Sequence, residues 1–393
     1  MKTTPFDVAV VGLGAMGAAT LFQLARRGVS AVGLDRFTPP HAMGSSHGET
    51  RITRVAVGEG EAYVPFVQRS HEIWRELEGQ TGETLLQQSG LLMMAPRGVN
   101  TGHHGKTDFL RRTIGVAERH GIAHETLDAA AIAPRFPAFE LNGDEEGYYE
   151  PGGGFVHPER CIAAQLSRAQ ALGAQVRTGQ AVLSVAQDGA GVSVVTADGV
   201  LRADRVVVAA GAWAGRLLGG RFGGTLVPYR QTLHWFALAN PAAFRPEVCP
   251  AYIWMHGSEP EDYFYGFPAQ DGAAEVKVAS ERYGVEIDPN MLNRTVSADE
   301  SAAMHAAHIA GRLRGAGPAA VKAAACMYTV TPDSGFVIDR HPDSERITII
   351  SACSGHGFKH SAGIGEAVAQ MVCDARSDLD LAPFRINRFR QAA

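Results

Sequence analysis

The chain is poor in lysine, in cysteine and in long apolar runs, and it carries no surplus of positive charge. Lysine occupies only positions 2, 106, 277, 322 and 359 of 393; every other basic residue is arginine. Five cysteines are too few for a disulfide scaffold and suit a reduced, cytoplasmic protein. No apolar stretch reaches the roughly 18 residues that cross a bilayer, and the opening Met1–Val11 enters a strand without the layout of a signal peptide. Lys+Arg number 36 against 41 Asp+Glu, a net charge of −5, which removes the basic footprint expected of a nucleic-acid binder. The expected partners are therefore small molecules, with neither membrane nor nucleic acid involved. The length suits two domains.

What is present in quantity is glycine, 45 residues, and its placement is informative. Phe6–Val11 reads as a buried parallel strand, Gly12-Leu-Gly14-Ala-Met16-Gly17 follows at once, Ala18–Gly28 reads as a helix, and Ser30–Leu34 as a second strand ended by Asp35. In such a βαβ unit Gly12 permits the tight turn, Gly14 lets backbone approach a pyrophosphate, and Gly17 lets helix and strand pack closely. Helix N–H groups face the phosphate charge. Asp35 is placed to accept from ribose hydroxyls and disfavours a 2′-phosphate. The motif predicts a dinucleotide and does not separate NAD from FAD.

Further along, helices are predicted over 61–78, 108–120, 158–172 and 364–373, with strands at 91–94, 176–178, 181–186, 192–196, 205–209, 336–338 and 347–351. Residues 227–280 read mostly as β. Ser297-Ala-Asp-Glu300 has capping-box spacing ahead of a helix to about Leu313. The fold class expected is α/β: a Rossmann-type nucleotide domain made of 1–90, 145–222 and 322–393, and a mixed-β substrate domain made of 91–144 and 223–321.

Three strings carry more. Gly44-Ser45-Ser-His47-Gly-Glu-Thr-Arg51-Ile-Thr-Arg54 follows the first βαβ unit; Ala325-Cys326-Met-Tyr328-Thr329 leads to Pro332-Asp333; and Ser354-Gly355-His-Gly357-Phe358-Lys359 precedes the last helix. With Gly58-Glu-Gly-Glu-Ala-Tyr-Val-Pro65, Ala210-Gly211-Ala-Trp213, Pro228-Tyr-Arg230 and Tyr265-Gly-Phe-Pro268, the chain resembles, nearly end to end, the monomeric sarcosine oxidase and N-methyltryptophan oxidase family. These are flavoprotein amine oxidases of the glycine-oxidase-like, D-amino-acid-oxidase-like fold.

The resemblance implies an FAD-dependent oxidase of N-methyl or cyclic amino acids that acts as a monomer and yields an imine and hydrogen peroxide. It implies a covalent flavin thioether at Cys326, although on its own a lone cysteine beside alanines is a small buried hydrophobe. It places Lys277 over the flavin to promote reaction with oxygen; a strand lysine otherwise points to solvent. It assigns the substrate carboxylate to Arg54 and Lys359, active-site hydroxyls to Tyr265 and Tyr328, and cofactor contacts to Met16, Arg36, Ser45, His47, Arg51, Val182, Gly211, Trp213, Gly355, Gly357 and Phe358. Where the family commonly carries an active-site histidine, gapless counting finds Glu281, which either stands beside the substrate amine or faces solvent near Arg282. Trp254, in a lengthened stretch before Tyr265, is a candidate aromatic wall. His103-His104 reads as a polar loop, Tyr149-Glu150 as a strand end, and no metal site is expected. A flavin dehydrogenase with another electron acceptor, and a non-catalytic nucleotide-binding module, are the alternatives.

Overall fold

A computed structural model describes residues 5–270 and 272–389, leaving Lys2 outside the described part. The βαβ unit forms as expected. Strand β1 (Phe6–Val11) pairs in parallel with β2 (Ala31–Leu34), and helix α1 (Ala15–Arg26) crosses between them. Its glycines act as the sequence requires. Gly12 has φ +88°, and a Cβ on Gly17 would lie 1.7 Å from the Gly12 carbonyl oxygen, so only glycine lets helix and turn meet.

Around β1 an eight-stranded sheet is assembled from distant segments. The strand Gly199–Val208 lies parallel to β1 on one side, and Gln175–Arg177 lies parallel to β2 on the other. Ser344–Ser351 returns from the C-terminal part to pair with Val206–Val208. Helices Pro158–Ala171 and Ser361–Asp374 pack on α1; a Cβ on Gly365 would meet Ala19 at 2.5 Å, which sets how closely the last helix approaches.

The second sheet also has eight strands, in the order Ala316–Val330, Val227–Leu238, Glu275–Ala279, Tyr263–Gly266, Ala251–Met255, Leu91–Pro96, Glu145–Glu150 and Glu125–Asp128. The strand Glu145–Glu150 belongs here, although the expected boundary at 145 assigns it to the nucleotide domain. Ala316–Val330 is one continuous strand crossing the expected boundary at 322. Its alanine-rich first half carries little β signal and is held to the strand Val227–Leu238 through Lys322, Ala320 and Ala316, across two irregularities in the register.

The two faces of this sheet diverge. Ile253, Tyr263, Tyr265, Trp235 and Cys326 pack on one side with Phe109 and Ile114; Tyr252, Trp254, Phe264, Val276 and Val278 pack on the other with Phe139. Strand alternation then places Lys277 on the first face, between Val276 and Val278. The Ser297 capping box forms, but the helix ends at Met304 and closes in a π-turn over His305–Ile309 instead of reaching Leu313. No helix among the described residues is long and apolar enough to cross a membrane.

Candidate active site

A cavity of about 550 Å³ opens at the C-terminal end of β1. At one end it is lined by Gly12, Gly14 and Met16 at the start of α1, and by Asp35 and Arg36 after β2. A Cβ on Gly14 would meet nothing closer than Ser46 Oγ at 3.7 Å, so the backbone there faces open space. Asp35 is tied down by the Leu13 and Phe37 N–H groups, which donate to its two oxygens at 2.8 Å each. Val182, Gly211 and Trp213 also line it, as do Ser45 and Arg51, and so do Gly355, Gly357 and Phe358 with Tyr328. Gly17 does not line the cavity; its place is under the turn.

Asn290, unmarked in the sequence, also lines the cavity, reaching across from the second half of the chain. Its Oδ1 accepts from Trp213 Nε1 at 2.9 Å and from the Arg36 guanidinium.

A smaller pocket of about 50 Å³ abuts the first, and Arg51, Tyr328, Gly355 and Phe358 line both. Its walls carry Arg54 and Lys359, as expected, together with Tyr265 and Glu281. The two tyrosine hydroxyls lie 3.0 Å apart, and burial pushes the Tyr265 phenol up to about 12. Arg54 is 3 % exposed and donates to Glu59 Oε2 at 2.9 Å and to the Ala56 carbonyl at 3.1 Å. Glu150, expected as no more than a strand end, braces this loop: its carboxylate accepts from the Val55 and Ala56 N–H groups and from Tyr148. Lys359 donates to the His356 carbonyl at 2.8 Å, and burial brings its pKa down to about 7.

Glu281 faces this pocket and not solvent. The solvent alternative fails because the chain after Ala279 turns over the pocket, with Arg282 N–H held by Gln231 at 2.9 Å. His103 and His104 are not a plain polar loop either; both are buried here. His104 donates through Nδ1 toward Glu59 at 3.2 Å and through Nε2 to Glu281 at 2.9 Å. Burial disfavours the His104 imidazolium, but the Glu281 and Glu59 carboxylates outweigh it and raise its pKa to about 9. Burial likewise works against the Glu281 carboxylate, yet His104 and the Tyr283 hydroxyl hold it down to about 2. Glu59 is kept well below the usual range by Arg54 against the pull of burial. His103 stacks on Tyr263 and is pushed by burial and by His104 to about 3, so it is neutral.

Glu59, His103 and His104 offer three atoms within 4.8 Å of one another, a spacing a metal ion could use. The Glu59 carboxylate is already shared between a guanidinium and an imidazolium, which accounts for the cluster as an ion-pair network.

Trp254 is not a wall of this pocket. Its neighbour Ile253 lines it, and one step along the strand turns Trp254 to the opposite face, against Phe139 and Phe264. Three expected residues stand just behind the cavities. Cys326 is fully buried, with Sγ 3.6 Å from the Ser45 carbonyl oxygen and 3.8 Å from Arg51. Lys277 donates to the Thr50 carbonyl at 2.8 Å and to Thr50 Oγ1 at 3.1 Å, over the Phe267 ring, and burial together with Arg51 holds its pKa well below the usual lysine value. His47 is buried with Nε2 unpartnered, and burial followed by Arg51 lowers its pKa to about 3. Of the four described lysines only Lys277 and Lys359 are buried, both at this site.

Sequence reading missed Glu59, His103, His104, Tyr263, Tyr283 and Asn290 as site residues. A carboxylate five residues after Arg54 was a usable signal for Glu59; nothing local marks the others.

The geometry agrees with what the chain is similar to. Residues 7–371 match the family model for FAD dependent oxidoreductases. The chain is 37 % identical over 391 residues to a monomeric sarcosine oxidase from Bacillus sp. (strain NS-129), covering 98 % of this chain and 97 % of that protein. It is 31 % identical over 388 residues to an N-methyl-L-tryptophan oxidase from Yersinia pestis (strain Pestoides F), covering 98 % and 100 %. Among solved structures it superposes on NikD, an amino acid oxidase essential for nikkomycin biosynthesis, with TM-score 0.82, 25 % identity and 98 % of each chain covered. Glycine oxidase from Geobacillus kaustophilus gives TM-score 0.76 at 23 % identity over 99 % of this chain, which shows a shared fold. The larger cavity suits that cofactor: open backbone at Gly14 for phosphates, Asp35 for a ribose, and Gly355 and Gly357 in the lining where a flat ring could approach backbone. The chain belongs to the FAD-dependent oxidoreductase family, as a relative of the monomeric sarcosine oxidases and N-methyl-L-tryptophan oxidases.

Proposed function

We propose that the protein is an FAD-dependent oxidase of secondary amino acids, N-methylated or cyclic. The observation that carries this reading is the shared wall: a pocket bearing two buried cations, Arg54 and Lys359, meets the dinucleotide cavity at Arg51, Tyr328, Gly355 and Phe358. A carboxylate bound by the cations would hold the rest of a small amino acid against that wall.

Bound FAD would supply the two-electron acceptor, taking a hydride equivalent from the C–H beside the substrate nitrogen and passing both electrons to oxygen as hydrogen peroxide. The chain's own residues bind and orient. Arg54, braced by Glu59 and the Ala56 carbonyl, presents its remaining N–H groups to the substrate carboxylate. Lys359 supplies the second charge. Tyr265 and Tyr328 close the pocket with a mutual hydrogen bond that leaves one hydroxyl proton for substrate. The imine product hydrolyses in water to an aldehyde or keto compound and an amine.

Cys326 is the proposed covalent attachment point, supported by its contacts with Ser45 and Arg51, which line the cavity. Lys277 is the proposed cation on the oxygen side, supported by its burial on the site face of the second sheet. The two sheets mark the proposed cofactor and substrate domains, with Glu145–Glu150 and the first half of Ala316–Val330 on the substrate side. The protein is proposed to act as a cytoplasmic monomer.

A peroxide assay across N-methyl and cyclic amino acids tests the reading, with dye reduction run beside it. Peroxide formed with at least one of them supports it; dye reduction without peroxide would instead make it a dehydrogenase. Cys326→Ser should release FAD on acid precipitation, while wild-type protein stays yellow. Lys277→Met should slow flavin reoxidation far more than its reduction.

A further inference from the structure

The pocket that Arg54 and Lys359 line also holds a carboxylate with one oxygen to spare. Both hydrogen bonds that reach Glu281, from the His104 ring at 2.9 Å and the Tyr283 hydroxyl at 2.6 Å, fall on Oε2. His103 Nε2, at 4.0 Å, also lies nearest Oε2. Among the described residues no donor bonds Oε1. That atom sits 2.8 Å from the point where a Cβ on Gly355 would lie, and Gly355, at φ +83°, lines both cavities. Only glycine leaves the oxygen room there. The Glu281 side chain is 5 % exposed.

A carboxylate oxygen that lines a pocket with no protein donor is open to a donor carried by a ligand. His104 cannot meet the need, because its two ring nitrogens are spent on Glu59 and on Oε2. The pocket, of about 50 Å³, thus has two cationic side chains, Arg54 and Lys359, and a carboxylate oxygen with no protein donor in its lining. A ligand that satisfies both carries a carboxylate and a positive nitrogen on a skeleton small enough for that volume.

We infer that Glu281 is the site's receptor for the substrate ammonium, and that the protein selects small α-amino acids in their zwitterionic form. This rests on the amino acid oxidase reading above; the ammonium is the form that binds, and it gives up one proton to solvent before the hydride leaves, because only the free amine lone pair can form the C=N bond. Glu281 is then a specificity residue, positioned by His104 and Tyr283. The His104–Glu59 contact links it to the carboxylate clamp, so both ends of the zwitterion are read by one hydrogen-bonded network.

The test uses two ligands of the same shape that differ in charge, glycine and propanoate, titrated anaerobically into the FAD-loaded protein and followed by flavin absorbance and calorimetry. Glycine should bind wild type about tenfold or more tightly than propanoate. In Glu281→Gln the preference should shrink toward one, chiefly by loss of glycine affinity, and Glu281→Asp should restore part of it. Equal affinities in wild type, or tighter propanoate, would overturn the inference and leave the oxidase reading standing. A preference that survives unchanged in Glu281→Gln would overturn it too, by placing the ammonium elsewhere. Binding of neither ligand to wild type would remove the carboxylate clamp, and with it both the oxidase reading and this inference.

Discussion

The two cavities share four residues and are built in opposite ways. The larger is shaped by backbone: glycines at 12, 14, 211, 355 and 357 line it, and its one carboxylate, Asp35, is oriented by two N–H groups, one on each oxygen. The smaller is shaped by ionised side chains: Arg54, Glu59, His104, Glu281 and Lys359 come from four separate stretches of chain and hold one another. A site made of backbone tolerates change where space is open and fails where it is not. A site made of buried charges fails wherever one charge loses its partner.

Glycine substitutions give the largest effect and divide by space. A methyl group on Gly17 would collide with the Gly12 carbonyl at 1.7 Å, between two backbone segments that cannot yield. Gly17→Ala should cost more than about 3 kcal/mol of stability and leave protein without flavin, read by thermal unfolding and by absorbance after gel filtration. Gly14→Ala meets only open space and Ser46, so it should fold normally and lose cofactor affinity alone. A stable, yellow Gly17→Ala would break the comparison.

Next comes the charged pocket. Arg54→Ala strands Glu59, which is buried beside it, and should lower carboxylate-ligand affinity at least about 100-fold, measured by flavin spectral titration. Lys359 gives a pH signature. Its pKa in the free protein is near 7, lowered by burial, so it is charged below that value and neutral above. A bound carboxylate favours the charged form, so binding takes up a proton and weakens as pH rises above 7, by up to about tenfold per unit. Glu59, Glu281, Arg54 and His356 face the same ammonium; of these Glu59 and Glu281 stay ionised and His356 neutral across that range. Lys359→Arg, charged throughout, should flatten the profile. The smallest effect is expected at Trp254: Trp254→Phe should cost about 1 kcal/mol of stability and leave KM for any amino acid substrate within twofold, since the ring packs on the far face of the sheet.

The same contrast explains what the sequence revealed. The βαβ unit is local: strand, glycines, helix and acid follow one another between Phe6 and Asp35, and each has one physical use. The charged pocket is not local. Glu281 could be found only by counting on past the end of a strand, and His103-His104 has no signal of its own, because what makes it part of the site is Glu59, 45 residues before His104, and Glu281, 177 residues after it. Trp254 misled because an aromatic near Tyr265 in sequence looks close, while one residue of strand alternation reverses its direction. Asn290 is a surface-loop amide until folding lays it against Arg36 and Trp213.

In the proposed active site the two cavities work as one, with the substrate carboxylate fixed in the smaller so that the amine meets the cofactor held in the larger. Anaerobic mixing with an N-methyl or cyclic amino acid and with its carboxamide tests this directly, the rate of flavin bleaching being read for each. The acid should bleach the flavin at least about 100-fold faster at the same concentration. Equal rates for acid and amide, or no bleaching by any secondary amino acid, would contradict it.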